Sequence, residues 1–142
     1  HMVGKLQTNK VKFALPLFDF IHSLDNEKLA KKIASEQTKY VKKPKIFIQV
    51  NIGDENQKSG IDKNDLKNFY NYCNELNLDI IGLMCIPPVD VKTDIFFKEM
   101  NFLKNDLALP DLSMGMSSDY LDATKNFSTY VRIGSKIFGK RS

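Results

Sequence analysis

Cysteine and histidine are scarce in this chain. Its 142 residues hold two cysteines, Cys73 and Cys85, and two histidines, His1 and His22. Two cysteines are too few for a disulfide scaffold, and their spacing is not that of a metal-ligand pair. With only His1 and His22 to join them, no metal site is expected. No apolar run approaches the roughly 20 residues that a membrane-spanning helix needs, and no secretory pattern is visible. The expected compartment is a reducing cytoplasm, without a membrane partner. Charge of one sign is in only mild excess: 21 Lys and Arg face 17 Asp and Glu, a net charge of +4. Much of that excess lies between Lys28 and Lys45 and reads as a solvated helix face. Exposed aromatics interleaved with basic residues are missing, as is any reader motif, so no nucleic-acid partner is expected.

What is present is ordinary for a globular protein. Hydrophobic residues make up 42% and charged residues 27% of the chain, enough for one core. The expectation is one domain over residues 1–142, without linker, repeat or low-complexity tract.

Apolar runs of strand length alternate with helical patterns. Phe18–Leu24 reads as a strand. Asp25 or Asn26 then caps an amphipathic helix running to about Tyr40, with Leu29, Ile33 and Ala34 on one face. Pro44 breaks it. Lys45–Ile52 is apolar on both faces, as a buried parallel strand is. Asp62 or Asn64 starts a helix carrying Leu66, Phe69, Tyr70 and Cys73. Asp79–Ile86 is the next strand, stopped by Pro87 and Pro88. Thr93 caps a helix with Ile95, Phe96, Met100 and Leu103 inside. Two more strands follow, around 112–117 and 129–134, with a possible sixth at Met2 to Leu6. This alternation predicts a parallel β/α array. An open doubly wound sheet and part of a (β/α)8 barrel both fit, a whole barrel needing ~250 residues.

The last two strands carry the most chemistry. Leu112-Ser113-Met114-Gly115-Met116-Ser117 and Tyr130-Val131-Arg132-Ile133-Gly134-Ser135 each stop abruptly in small and hydroxyl residues. Ser117 or Ser118 is a plausible N-cap for a helix over 118–126. Strand ends that open into helix N-termini leave backbone N–H groups unpaired, which suits an anion. Two such ends could grip one phosphate. Arg132, two residues before Gly134, can point into the same region.

The motifs, in their order, resemble the YggS/PROSC family of pyridoxal-phosphate homeostasis proteins. The pieces are Val3-Gly4-Lys5-Leu6-Gln7-Thr8-Asn9-Lys10, Ile21-His22-Ser23-Leu24-Asp25, and Gln49-Val50-Asn51-Ile52 with Lys58-Ser59-Gly60-Ile61. Gly82-Leu83-Met84-Cys85-Ile86-Pro87 follows, and the two C-terminal strands with Lys136-Ile137-Phe138-Gly139 complete the set. The resemblance spans essentially the whole chain.

It implies the parallel (β/α)8 TIM-type barrel of the alanine racemase N-terminal domain, here incomplete. About six β/α units are expected, with the first two missing. It implies pyridoxal 5′-phosphate (PLP) as cofactor and a role in carrying or buffering it, with no catalytic residue and no established turnover. By the resemblance Ser113, Met114, Gly134 and Ser135 hold the phosphate and Arg132 faces the pyridine nitrogen. Ser135 stands where the family usually has Thr. The lysine that binds the cofactor covalently belongs to the absent first units, so no covalent attachment is expected. Alternatives are a fragment of a racemase-type PLP enzyme, or a simple phosphate-binding module.

Several residues have two readings. His22 is either a hydrogen-bonded structural histidine or a pocket residue. Asn51 either satisfies a turn or lines the pocket. Ser23 and Ser117 are equally open, and Lys58-Ser59-Gly60 is a loop turn or a pocket rim. Met84, Met114 and Met116 read as core filler, Met114 contributing through its backbone N–H. Asp119 supports a helix N-terminus. A barrel lacking two strands leaves open edges, so Ile46–Ile52 and Ile80–Ile86 are expected to be wetted, and self-association through those edges is possible.

Overall fold

The computed structural model describes residues 1–56 and 59–139. Five strands run in it: β1 (Phe20–Leu24), β2 (Lys45–Gln49), β3 (Asp79–Met84), β4 (Asp111–Met116) and β5 (Tyr130–Arg132). Neighbours in sequence are neighbours in the sheet, in the order β1-β2-β3-β4-β5, and every pairing is parallel. A doubly wound sheet reverses its strand order at a switch point. This one does not, so it is a portion of a barrel wall.

Its curvature shows in the side chains. β1 and β5 are the two ends of the order, so a flat sheet would hold them roughly 19 Å apart, four strand spacings. Yet the rings of Phe20 on β1 and Tyr130 on β5 lie 5.8 Å apart. The wall therefore curls until its two ends touch through aromatic rings. Phe47 from β2 meets Tyr130 edge-on at 5.3 Å and stacks on His22 at 4.4 Å. His1 stacks on Phe20 at 4.1 Å.

This aromatic plug corrects the expectation that the apolar strands would be wetted. Ile46, Phe47 and Ile48 are fully buried, as are Leu83, Met84 and Cys85. Ile80 and Ile81 are half-buried. Only Ile86, 42% exposed, faces solvent as anticipated.

The helices are α1 (Val11–Ala14), α2 (Glu27–Gln37), α3 (Leu66–Glu75), α4 (Asp94–Asp106), α5 (Tyr120–Lys125) and α6 (Ser135–Phe138). Of these, α3, α4 and α5 pack on the strands, α1 packs on α2, and α6 buries no residue. In α2 the Asn26 Oδ1 accepts from Leu29 N at 2.8 Å, a side-chain N-cap. Leu29 and Ile33 are buried in the core below it. On α4 the inward set is Phe97 and Met100, whereas Ile95 is 63% exposed. Thr93 flanks α4 but makes no capping side-chain bond.

Two further expectations are corrected. The possible strand at Met2 to Leu6 reduces to one bridge: Met2 N donates to Phe20 O and His22 N donates to Met2 O. The backbone bends at Gly4, and Thr8–Lys10 wind into a 3₁₀ turn. The helix expected from Ser118 begins at Tyr120, with Asp119 in the cap position. Neither Ser117 nor Ser118 caps it.

Among the described residues, no helix is long and apolar enough to cross a membrane.

Candidate functional site

The C-terminal ends of β3, β4 and β5 meet on one side of the wall. β4 ends at Gly115 and Met116, and Gly115 has a φ of +96°. A Cβ there would stand 2.6 Å from Ala123 Cβ and 3.0 Å from Tyr120 Cα. Only glycine accepts both that φ and the close approach of α5. Asp119 Oδ1 then accepts from Met116 N at 2.7 Å and holds the turn.

The turn presents the Ser117 hydroxyl to the next strand end. Its Oγ accepts from Gly134 N and from Lys136 N, each at 3.2 Å. A hydroxyl occupied in this way is not free to cap α5, which explains the shift of that helix start. One oxygen receiving two backbone N–H groups is the pattern a phosphate oxygen would adopt. Gly134 has nothing within 4 Å of where a Cβ would stand, so the space beside its Cα is open. Ser135 opens α6 and is exposed.

Arg132 turns toward the inside of the curl. Its Nη1 donates to Ser113 Oγ at 2.7 Å and its Nη2 to the Cys85 carbonyl at 2.8 Å. The guanidinium thus ties the ends of β3, β4 and β5 together. Burial presses its pKa down, opposed by Cys85 and Asp119. An arginine stays a cation in a protein nonetheless. Beyond Ser113 the contacts continue: His22 Nδ1 lies 2.8 Å from Ser113 Oγ, and His22 Nε2 lies 3.0 Å from His1 Nδ1. His22 is 1% exposed. Burial first, and the Arg132 charge second, lower its pKa to about 4. It is therefore neutral at physiological pH. The Cys85 thiol is pushed up to about 12 by burial and is inert.

The residues singled out in the sequence divide into three groups. His22, Ser113 and Arg132 form one hydrogen-bonded string. Ser117 and Gly134 form a second contact, two residues along the chain from Arg132, with Ser135 beside it. Met114 and Asn51 are elsewhere. The Met114 side chain is fully buried, and its carbonyl accepts from Ser128 Oγ at 2.7 Å. Asn51 braces its own loop, donating to Glu55 O at 3.0 Å and accepting from Glu55 N at 3.2 Å. Ser23 is 2% exposed, and its hydroxyl has no hydrogen-bond partner among the described residues. Ser59 O receives Gln49 Nε2 at 3.4 Å, and Lys58 lies outside the described residues. Ser113 thus braces Arg132, and by hydrogen bond it is Ser117 that meets Gly134.

Sequence reasoning missed the Cys85 carbonyl, the Lys136 N–H and the aromatic wall of Phe47 and Tyr130. Backbone groups leave no residue-type signal. Tyr130 could have been found from its place two residues before Arg132, on the same strand face.

A parallel barrel wall with its polar residues gathered at the strand C-terminal ends defines the class: a β/α barrel with its ligand face there. The chain belongs to the family described as alanine racemase, N-terminal domain, whose sequence profile matches residues 2–142. Among curated relatives, the pyridoxal phosphate homeostasis protein of Aquifex aeolicus is 40% identical over 99% of this chain and 66% of its own length. That of Pasteurella multocida is also 40% identical, over 99% of this chain and 65% of its own. Among solved structures, PipY of Synechococcus elongatus PCC7942 without PLP superposes with a TM-score of 0.88 at 33% identity. With PLP bound it gives 0.86. Either match covers 96% of this chain and 68% of PipY. The resemblance to the YggS/PROSC proteins and the partial alanine-racemase-type barrel are thereby borne out. The chain spans a little under two-thirds of the length of the curated relatives just described.

Proposed function

We propose that this chain contributes the phosphate- and ring-recognising part of a PLP-binding homeostasis protein and binds the cofactor reversibly, without turning over a substrate. The observation that carries the reading is the pair of contacts flanking Ile133. On one side the Arg132 guanidinium is clamped by Ser113 Oγ and Cys85 O. On the other, Gly134 N and Lys136 N converge on one oxygen, that of Ser117. The residues fit the cofactor's two polar ends. A phosphate oxygen would take the place of Ser117 Oγ on Gly134 and Lys136 N–H, and the hydroxyls of Ser117 and Ser135 would turn to donate to the phosphate. Arg132 would face the ring nitrogen. A guanidinium only donates, so it favours a ring nitrogen with its lone pair free.

PLP when bound supplies an aldehyde and a pyridine ring. What this chain's residues do is hold and orient them, in an interior that Phe47 and Tyr130 keep apolar. The relatives named for pyridoxal phosphate homeostasis and the PLP-bound PipY structure support the reading. A single domain, a cytoplasmic setting and self-association belong to the same proposal. The last is supported by the exposed apolar residues Val131, Ile137 and Phe138 beside β5.

Calorimetric titration tests it. The account expects saturable one-to-one binding of PLP, weaker binding of pyridoxal, and competition by inorganic phosphate. Dialysis reverses the binding, and borohydride treatment adds no mass to any lysine. Equal affinity for PLP and inorganic phosphate would leave only a phosphate module. A stoichiometric lysine adduct would overturn the reversible reading.

A further inference from the structure

The string of contacts behind Arg132 has a direction that hydrogen-bond chemistry fixes. Arg132 Nη1 can only donate, so Ser113 Oγ accepts from it at 2.7 Å. The serine keeps one proton to give. The other polar atom described at Ser113 Oγ is His22 Nδ1, at 2.8 Å. If His22 donated there, the buried serine would accept twice and its own proton would lack an acceptor. If Ser113 donates to Nδ1, the hydroxyl is satisfied on both sides. His22 then carries its proton on Nε2 and donates to His1 Nδ1, 3.0 Å away.

We propose that His22 is the positioning residue for Arg132: by accepting the Ser113 proton it turns a serine lone pair onto the guanidinium and fixes where the remaining guanidinium N–H groups point. The proposal deepens the PLP reading and rests on it only for what Arg132 faces.

Three further observations support it. Ser113 is fully buried and cannot exchange His22 for bulk water. The His22 ring is locked by stacking on Phe47 at 4.4 Å and by the edge of Tyr130 at 5.9 Å, so Nδ1 is held toward β4. Among the described residues, the groups facing the imidazole are His1 with its terminal ammonium, Tyr130, Phe47 and, through Ser113, Arg132. None is an anion that would favour the doubly protonated ring, and the imidazole titrates near about 4. A cationic His22 would have no lone pair for the serine proton and would stand beside a second cation.

Nitrogen-15 NMR on the ligand-free chain, with His22→Asn and His22→Leu, decides the matter. The account expects a pyridine-type Nδ1 and a pyrrole-type Nε2 for His22 at neutral pH. It also expects the Arg132 side-chain N–H signals to exchange with water at least tenfold faster in H22L. H22N, whose amide oxygen can accept from Ser113, restores slow exchange. For PLP, H22L raises Kd about tenfold while Kd for inorganic phosphate stays unchanged. A protonated Nδ1 overturns the proposal, as does Arg132 exchange that is the same in H22L and wild type. If H22L does not fold, the wild-type tautomer and H22N exchange still decide. If wild type binds no PLP, the ligand reading fails, and the NMR result stands or falls separately.

Discussion

Phe20 and Tyr130 sit on the two end strands of a five-strand order, and their rings lie 5.8 Å apart. The pair closes the curl of the barrel wall. Behind it, Phe47 is completely buried. Phe47→Ala should therefore lower the unfolding free energy by ~3–5 kcal/mol, as large-to-small core changes do. A Phe20→Leu/Tyr130→Leu cycle should show ~0.5–1.5 kcal/mol of coupling. Urea titrations measure both. Zero coupling would mean that the rings do not meet in solution.

Two glycines should differ in their response to alanine. A Cβ on Gly82 would lie 2.3 Å from Asp111 O and 2.8 Å from Phe47 Cε1, so β3 and β4 must separate. Gly82→Ala should cost on the order of 1–3 kcal/mol, the range for overpacking. A Cβ on Gly134 meets nothing within 4 Å, and its φ of −121° lies outside the left-handed region that favours glycine. Gly134→Ala should leave the melting temperature within a degree or two. Equal losses at the two sites would contradict the packing described.

Acid should weaken the fold through His22. Its native pKa is about 4 against an ordinary 6.5. Below 6.5 the unfolded chain takes up a proton that the native chain refuses. The contribution is complete above pH 6.5 and is lost as pH falls from there to about 4. That interval corresponds to ~3 kcal/mol. Urea midpoints at pH 7.5, 6 and 4.5 should fall in that order. His22→Asn should flatten the part of the slope that His22 supplies. An unchanged slope in that variant would remove His22 as the cause.

Neither thiol should react in the native protein. Cys73 and Cys85 are buried, and burial pushes both up to about 12. Iodoacetamide at pH 8 should label both only after denaturant is added, because the thiolate is the nucleophile. Rapid labelling of Cys85 without denaturant would show that the ends of β3 and β5 open.

The alternation of apolar runs with amphipathic helices was legible because short, nearly continuous apolar runs at β2 and β3 differ plainly from the 3.6-residue pattern of α2 and α4. A cap at Asp25 or Asn26 was legible from residue type, and the structure assigns it to Asn26. The errors came from tertiary contacts. Ser117 reads as a cap until Gly134 and Lys136 take its oxygen. Ile95 and Phe97 are both apolar near the start of α4, and only the packed wall buries one and exposes the other. At the site, the serine-rich strand ends and Arg132 announced themselves by residue type. Assigning Ser113 to Arg132 and Ser117 to Gly134 needed the register of β4 on β5, which strand patterns do not encode.

A crystal structure of the chain grown with PLP tests the central claim most directly. The account predicts phosphate oxygens within hydrogen-bond distance, about 2.7–3.2 Å, of Gly134 N, Lys136 N and the Ser117 hydroxyl. It predicts the ring nitrogen facing the Arg132 guanidinium, still bound to Ser113 and Cys85, with no density joining the cofactor to any lysine. PLP bound away from Arg132 and Gly134, or linked covalently to a lysine, would contradict it.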